Sequence, residues 1–325
     1  MDPANSSVTS PKSDQAPNKR YHRCILVSCE IPWDDNQRFI ESVFRDEIRT
    51  TLKSFNNLYV FGTSGEGYGV IDSQFREILQ VFWEETEQNT VHPMVGIITM
   101  STAQAIERIA ISHDFGFRTF MITLPSWRQV LDQEYMTFFR DICETFPDSK
   151  FLHYNLGLAG RVLNASDYRR IEDSFPNIVG TKTGSANSET VKELVTQTSL
   201  QHFVGDQAFA TGSRYGECSI LSACGILFPK QVNELFRLGV SGQFGKAEKL
   251  AQEINRAALA FFRPASESTL LGFEARVHGA WDKMFKRAAG IDMPFKMLSP
   301  YEHWDEEIYK ACFKSLNAEF SDWLH

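Results

Sequence analysis

A chain of 325 residues with 42% hydrophobic content is long enough to bury a large core, and one main domain with an appendage is the expected organisation. A formal charge of -8 and a pI near 5.6, without a dense Lys/Arg block, argue against a protein that wraps nucleic acid or an anionic membrane. No stretch approaches the roughly 20 apolar residues of a membrane-spanning helix, so small molecules are the expected partners.

Residues 1–20 hold Pro, Ser, Asn and charge but no apolar run, and are expected to be a disordered lead-in without the apolar segment of a secretory signal. A cytoplasmic protein is the expectation. From residue 23 onward, short β-branched or aromatic runs alternate with longer stretches of helical period, the pattern of βα units around a parallel sheet. The strand candidates are 24–29, 58–62, 92–99, 118–123, 150–155, 177–182, 201–205 and a weaker 218–221, the number that a (β/α)₈ TIM barrel needs. Between them, Ser101 with Gln104 reads as a capping box, Ile106, Ile109 and Ala110 mark one helix face, and Gly116 ends that helix. Val191, Leu194 and Val195 form a similar stripe further on. Past about residue 230 strand signals stop and helices rich in Phe and Trp follow. The expected division is thus a lead-in over 1–20, a barrel over 21–231 and a helical extension over 232–325. The six cysteines show no paired or zinc-type spacing and read as buried free thiols.

Active sites of such barrels sit at the C-terminal ends of the strands, so polar residues that finish an apolar run carry the chemistry. Three places qualify. Gly62-Thr63-Ser64-Gly65-Glu66 offers backbone N–H groups and two hydroxyls suited to a carboxylate or oxyanion, or else a tight turn. Lys182 ends the run NIVG-Thr181. An ammonium in a barrel interior loses hydration, its pKa should fall toward neutrality, and a neutral amine can attack a carbonyl to form a Schiff base; a lysine snorkelling to the rim is the competing reading. Tyr154 ends the preceding strand, where its phenol could shuttle protons or simply pack in the barrel.

These residues resemble the dihydrodipicolinate synthase and N-acetylneuraminate lyase family of class I pyruvate-dependent aldolases, across roughly residues 23–300. The likeness rests on the G-T-S-G-E motif followed by Gln74, on Tyr154-Asn155, and on the 28 residues that separate Tyr154 from Lys182. The resemblance implies that Thr63 and Ser64, with Gly62, hold the pyruvate carboxylate, that Tyr154 moves protons, and that Lys182 forms the imine. Gly205-Asp206 after the seventh strand also resembles a family position, and the run from Asp206 and Gln207 to Gly212 resembles the stretch that contacts sugar hydroxyls in the lyase. Thr183, where the family carries Glu or Gln, is taken as a further substrate contact.

Several positions depart from the pattern. Gly157 replaces a proline, Trp127 stands near the synthase's neighbour-subunit tyrosine, and Ala159 stands where the synthase has an arginine, with Arg161 two positions late. These departures favour retro-aldol cleavage of a 2-oxo-3-deoxy sugar acid or an N-acetylneuraminate-like acid over synthase-type condensation; a non-catalytic paralogue that binds a 2-oxo acid is the third reading. Pyruvate and an aldehyde are the expected small-molecule partners, with no metal, no cofactor, no nucleic acid and no membrane. The family resemblance implies a homo-tetramer or homo-dimer.

Overall fold

The structure, a computed structural model, describes residues 18–88, 90–184 and 187–324; most of the expected lead-in lies outside the described residues. The strands β1 (Ile25–Ser28), β2 (Asn57–Val60), β3 (His92–Ile97), β4 (Thr119–Ile122), β5 (Lys150–Tyr154), β6 (Ile178–Thr183), β7 (Gln201–Val204) and β8 (Ser219–Ser222) run parallel in sequence order, and β8 pairs with β1 to close the barrel. Each strand candidate therefore contains a strand, with ends shifted by one or two residues; β2, β6 and β8 each reach one residue outside the expected range, to Asn57, Thr183 and Ser222. The connecting helices are α1 (Glu41–Leu52), α2 (Asp72–Thr86), α3 (Thr102–Phe115), α4 (Asp132–Thr145), α5 (Ala165–Ser174), α6 (Ser188–Gln197), the short α7 (Asp206–Gly212) and α8 (Pro229–Val240). The long α9 (Phe244–Glu267), α10 (His278–Ala288) and α11 (Glu306–Phe320) follow. No helix among the described residues is long and apolar enough to cross a membrane.

Local signals place the helices. Ser101 Oγ accepts the Gln104 N–H and Gly116 closes α3 at φ 116°, while the Gln104 side chain reaches the N–H of Met100 instead of Ser101, so the box is offset by one residue. Val191, Leu194 and Val195 of α6 are fully buried, each contributing about 1.5–3 kcal/mol relative to exposure. Alternate strand residues make two cores. Leu26, Tyr59, Met94, Met121, Leu152, Tyr154 and Phe203 fill the barrel, while residues such as Val60, Val95 and Phe151 pack outward against the helices.

Lys19 and Arg20, read in the sequence as lead-in, are bound to the barrel. The Lys19 ammonium donates to Val195 O and Thr198 O at 2.7 and 2.8 Å, and the Arg20 guanidinium to Glu172 O at 2.9 Å, so both cations satisfy carbonyls left open where α5 and α6 end. Phe261, Trp281 and Phe285 of the C-terminal helices, with Trp304 just before α11, are buried core, while Phe236, Phe244, Phe262 and Phe313 are half-buried. All six cysteines are buried and free.

Candidate active site

The turn after β2 is wound tightly. Phe61 and Glu66 both take positive φ, 59° and 52°, and a Cβ on Gly62 would lie 2.5 Å from the Tyr59 ring, so glycine there makes room for an inward tyrosine. Thr63 is buried and donates through Oγ1 to the Tyr154 phenol at 3.3 Å, and Ser64 is half-buried beside it. The expected cradle thus reaches the expected proton carrier.

Tyr154 and Lys182 are direct partners in the register between β5 and β6, so both point into the barrel at the same height. The Lys182 Nζ lies 3.8 Å from the centroid of the Tyr154 ring and 4.5 Å from that of Tyr59, and donates to Tyr59 Oη at 2.9 Å. Two aromatic faces and a phenol oxygen replace the water an ammonium would otherwise hold. Burial acts to lower the lysine pKa, but the phenol oxygens of Tyr154 and Tyr59 act against it and carry the pKa above the ordinary lysine value. The fall toward neutrality expected from burial alone is reversed by these two neighbours. Burial also raises Tyr59, so that phenol keeps its proton at neutral pH and serves the ammonium as a neutral acceptor.

A second layer of charge, absent from the motif reading, comes from α10, whose Asp282, Lys283 and Lys286 are buried against the barrel mouth. A Cβ on Gly279 would lie 2.6 Å from Ser64 O, so this helix can approach the β2 turn only with glycine at that point. Glu66 is the clamp. Its carboxylate accepts from Trp33 Nε1 at 2.8 Å, Lys283 Nζ at 2.8 Å and Leu298 N at 2.6 Å, tying the turn to α10 and to the segment beyond it. Lys286 sits between Glu30 and Glu47 at 2.7 and 2.9 Å and donates to Ser28 O. With one cation between two carboxylates, burial pushes Glu47 up to about 8. Asp282 shares a hydrogen bond with Ser64 Oγ, and burial pushes its carboxyl up to about 7.

Not every expected contact converges on Lys182. Thr183 lies on the opposite face of β6: its Oγ1 is 3.5 Å from that of Thr181, which in turn bonds His202 at 2.7 Å behind the sheet. Arg161 is committed to Asp132 at 2.6 Å and to the Tyr135 ring, and Trp127 is 83% exposed. Asn155 donates to Leu163 O and accepts from Leu163 N, both at 2.8 Å, which staples the loop after β5. Gly205, Asp206 and Gln207 stand at the rim of a cavity of about 720 Å³ between the ends of β6, β7 and β8 and α9. Neither Lys182 nor Tyr154 lines that cavity; among the described residues it comes nearest to Lys182 at Gly184, just past the end of β6, and it meets β7 at Gly205. Asp206 accepts from Ser222 at 3.3 Å and burial raises it to about 6. Among the described residues no group of three or more His, Cys, Asp or Glu side chains is disposed to hold a metal ion.

A closed (β/α)₈ barrel with a lysine at the end of its sixth strand, faced by a tyrosine from the fifth, defines the class. The model of the dihydrodipicolinate synthetase family matches residues 22–271, and the chain belongs to that family of aldolase-type, pyruvate-dependent lyases and synthases. Its relatives include the 4-hydroxy-tetrahydrodipicolinate synthase of Oleidesulfovibrio alaskensis, 21% identical over 74% of this chain and 85% of that protein. The enzyme of that name from Thermus thermophilus is 24% identical over 68% of this chain and 76% of that protein. Among solved structures, YagE, a prophage protein of the family from E. coli K12 in complex with pyruvate, superposes with a TM-score of 0.80 at 17% identity, covering 92% of this chain and 98% of that one. CdNal from Clostridium difficile in complex with mannosamine gives 0.78 at 14% identity, covering 91% and 98%.

Proposed function

We propose that this protein is a cytoplasmic class I lyase that forms an imine between Lys182 and the ketone of a 2-oxo acid, and cleaves or joins the neighbouring C–C bond with pyruvate as product or donor. The observation that carries this reading is the position of Lys182 Nζ against the Tyr154 ring, with the Tyr154 phenol hydrogen-bonded to Thr63. The resting lysine is an ammonium. Attack on the ketone therefore begins as one proton leaves Nζ through Tyr154, whose phenol releases its own proton toward solvent as it takes the lysine's, after which the free amine adds to the carbonyl carbon and the carbinolamine is reprotonated and loses water. The protonated imine then accepts the electron pair of the breaking C–C bond as the neighbouring hydroxyl gives up its proton and leaves as the aldehyde; the resulting enamine takes a proton at its terminal carbon, and water returns the amine and pyruvate. Thr63, Ser64 and the backbone of Gly62 hold the carboxylate, so the ketone stays over Nζ through these steps.

A chain of hydroxyls would lie along the rim cavity, where Asp206, Gln207, Gln252 and Asn255 offer polar groups next to Gly184 and Gly205. This favours a 2-oxo-3-deoxy sugar acid or an N-acetylneuraminate-like acid. The names of the relatives favour a second reading, condensation of pyruvate with an amino-aldehyde acid of the synthase type. Against it stand Ala159 and the engagement of Arg161 with Asp132, which leave no free guanidinium there for the aldehyde's carboxylate. We take the protein to act as a homo-dimer or homo-tetramer, in which the exposed Trp127 and Leu158 would be covered. Pyruvate release from a panel of 2-oxo-3-deoxy sugar acids and N-acetylneuraminate, set beside pyruvate consumption with aspartate semialdehyde, separates the two reactions. Release from a sugar acid is expected; turnover with the semialdehyde alone would overturn the cleavage reading.

A further inference from the structure

A serine hydroxyl carries one proton, and the hydroxyl of Ser64 has two claimants. Asp282 on α10 is buried, shares a hydrogen bond with Ser64 Oγ, and among the described residues has no cation within ion-pair distance. Lys286, one turn further along the same helix, is taken by Glu30 and Glu47. The other titratable groups that face Asp282 are Glu30 from the loop after β1 and Lys182 from β6, with Glu47 of α1 on the far side of Lys286.

With Asp282 ionised, Ser64 must give its proton to that carboxylate. Only oxygen lone pairs are then left toward a second carboxylate arriving at the turn, and two anions face each other across one oxygen in a place poor in water. With Asp282 protonated the direction reverses: its O–H donates to Ser64 Oγ, and the serine proton is free to donate to the ligand. We infer that Asp282 is protonated whenever a 2-oxo acid is bound, so that carboxylate recognition at Ser64 takes up one proton at Asp282. This rests on the reading of Thr63 and Ser64 as the carboxylate cradle and deepens it: the site selects its anionic substrate by carrying a removable proton of its own. The step is balanced. One carboxylate and one proton from solvent enter, Asp282 leaves the anionic form, and no electron moves. Burial holds the Asp282 carboxyl up to about 7, which keeps that proton within reach under neutral conditions.

The test follows the concentration of pyruvate that half-saturates borohydride-trapped adduct on Lys182, from pH 6 to pH 9, in wild-type, Asp282→Asn and Ser64→Ala proteins. In wild type it should rise about tenfold per pH unit once Asp282 is ionised in the free protein, as linkage to a single proton requires. Asp282→Asn should lose this slope, because its amide donates to Ser64 at every pH. Ser64→Ala should need several-fold more pyruvate at pH 6 and should also lose the slope. A flat wild-type profile, or variant slopes equal to that of wild type, overturns the inference. Absence of adduct from Lys182 at every pH overturns the imine reading itself.

Discussion

Lys182 on β6 reaches across the barrel to Tyr59 on β2, its Nζ donating to the phenol oxygen at 2.9 Å, and both side chains are buried. Since Tyr59 is one of the groups that raise the lysine pKa, Tyr59→Phe should lower it while keeping the ring in the barrel layer. The pH at which imine formation reaches half its maximal rate should move toward acid. A structural role alone would change the amount of folded protein and leave that midpoint in place.

Tyr154→Phe keeps the ring under Nζ but removes the phenol proposed to carry the proton. General acid–base groups contribute about 10²–10⁴-fold, so kcat should fall by that order. The half-saturating pyruvate concentration should change little, because the Thr63 hydroxyl remains. A proportional loss in both would assign Tyr154 to binding.

Lys286→Met strands Glu30 and Glu47 at the barrel mouth without their cation. Removing one partner of a buried ion pair costs about 3–5 kcal/mol, and adding Glu47→Gln to the variant should restore part of it. Urea unfolding curves of the single and double variants measure both.

His153 is buried, with its Nδ1 at 2.8 Å from the Tyr168 phenol, and burial pushes its pKa down to about 3. In the unfolded chain a histidine titrates near 6.5, so the unfolded state binds the extra proton. The stability His153 contributes is full above about pH 6.5 and is lost as pH falls through the window down to about 3, by about 1.4 kcal/mol per unit. The raised carboxyls of Asp206 and Asp282 act in the opposite sense over the window from about 4 up to their folded values, so the total slope mixes signs. The test is a difference. The stability of wild type minus that of His153→Phe should decrease steadily below pH 6.5 and be constant above it.

Much of this was legible in the chain. Strand runs such as MVGII and TFMIT are apolar on both faces because the sheet is buried on both, and their spacing made the barrel readable. Tyr154 and Lys182 were readable as strand-end polar residues, and their register follows from that placement. The same continuity hid Tyr59: in LYVF nothing in the pattern tells which residues point inward, and only the Gly62 that vacates space for the ring hints at it. Asp282, Lys283 and Lys286 were hidden for another reason. They form one face of α10 opposite Trp281, Met284 and Phe285, and helical period separates polar from apolar faces without telling whether the polar face meets water or another buried charge. Thr183 shows the cost of adjacency, since one step along a strand turns a side chain to the opposite face.

Chemical trapping tests imine formation at Lys182 directly. The protein is incubated with pyruvate and borohydride, weighed intact and then digested and mapped, beside Lys182→Ala and a sample without pyruvate. A single reduced pyruvyl adduct is expected on the peptide carrying Lys182, absent from both controls. An unmodified protein across a range of 2-oxo acids, or an adduct that persists in Lys182→Ala, would contradict it.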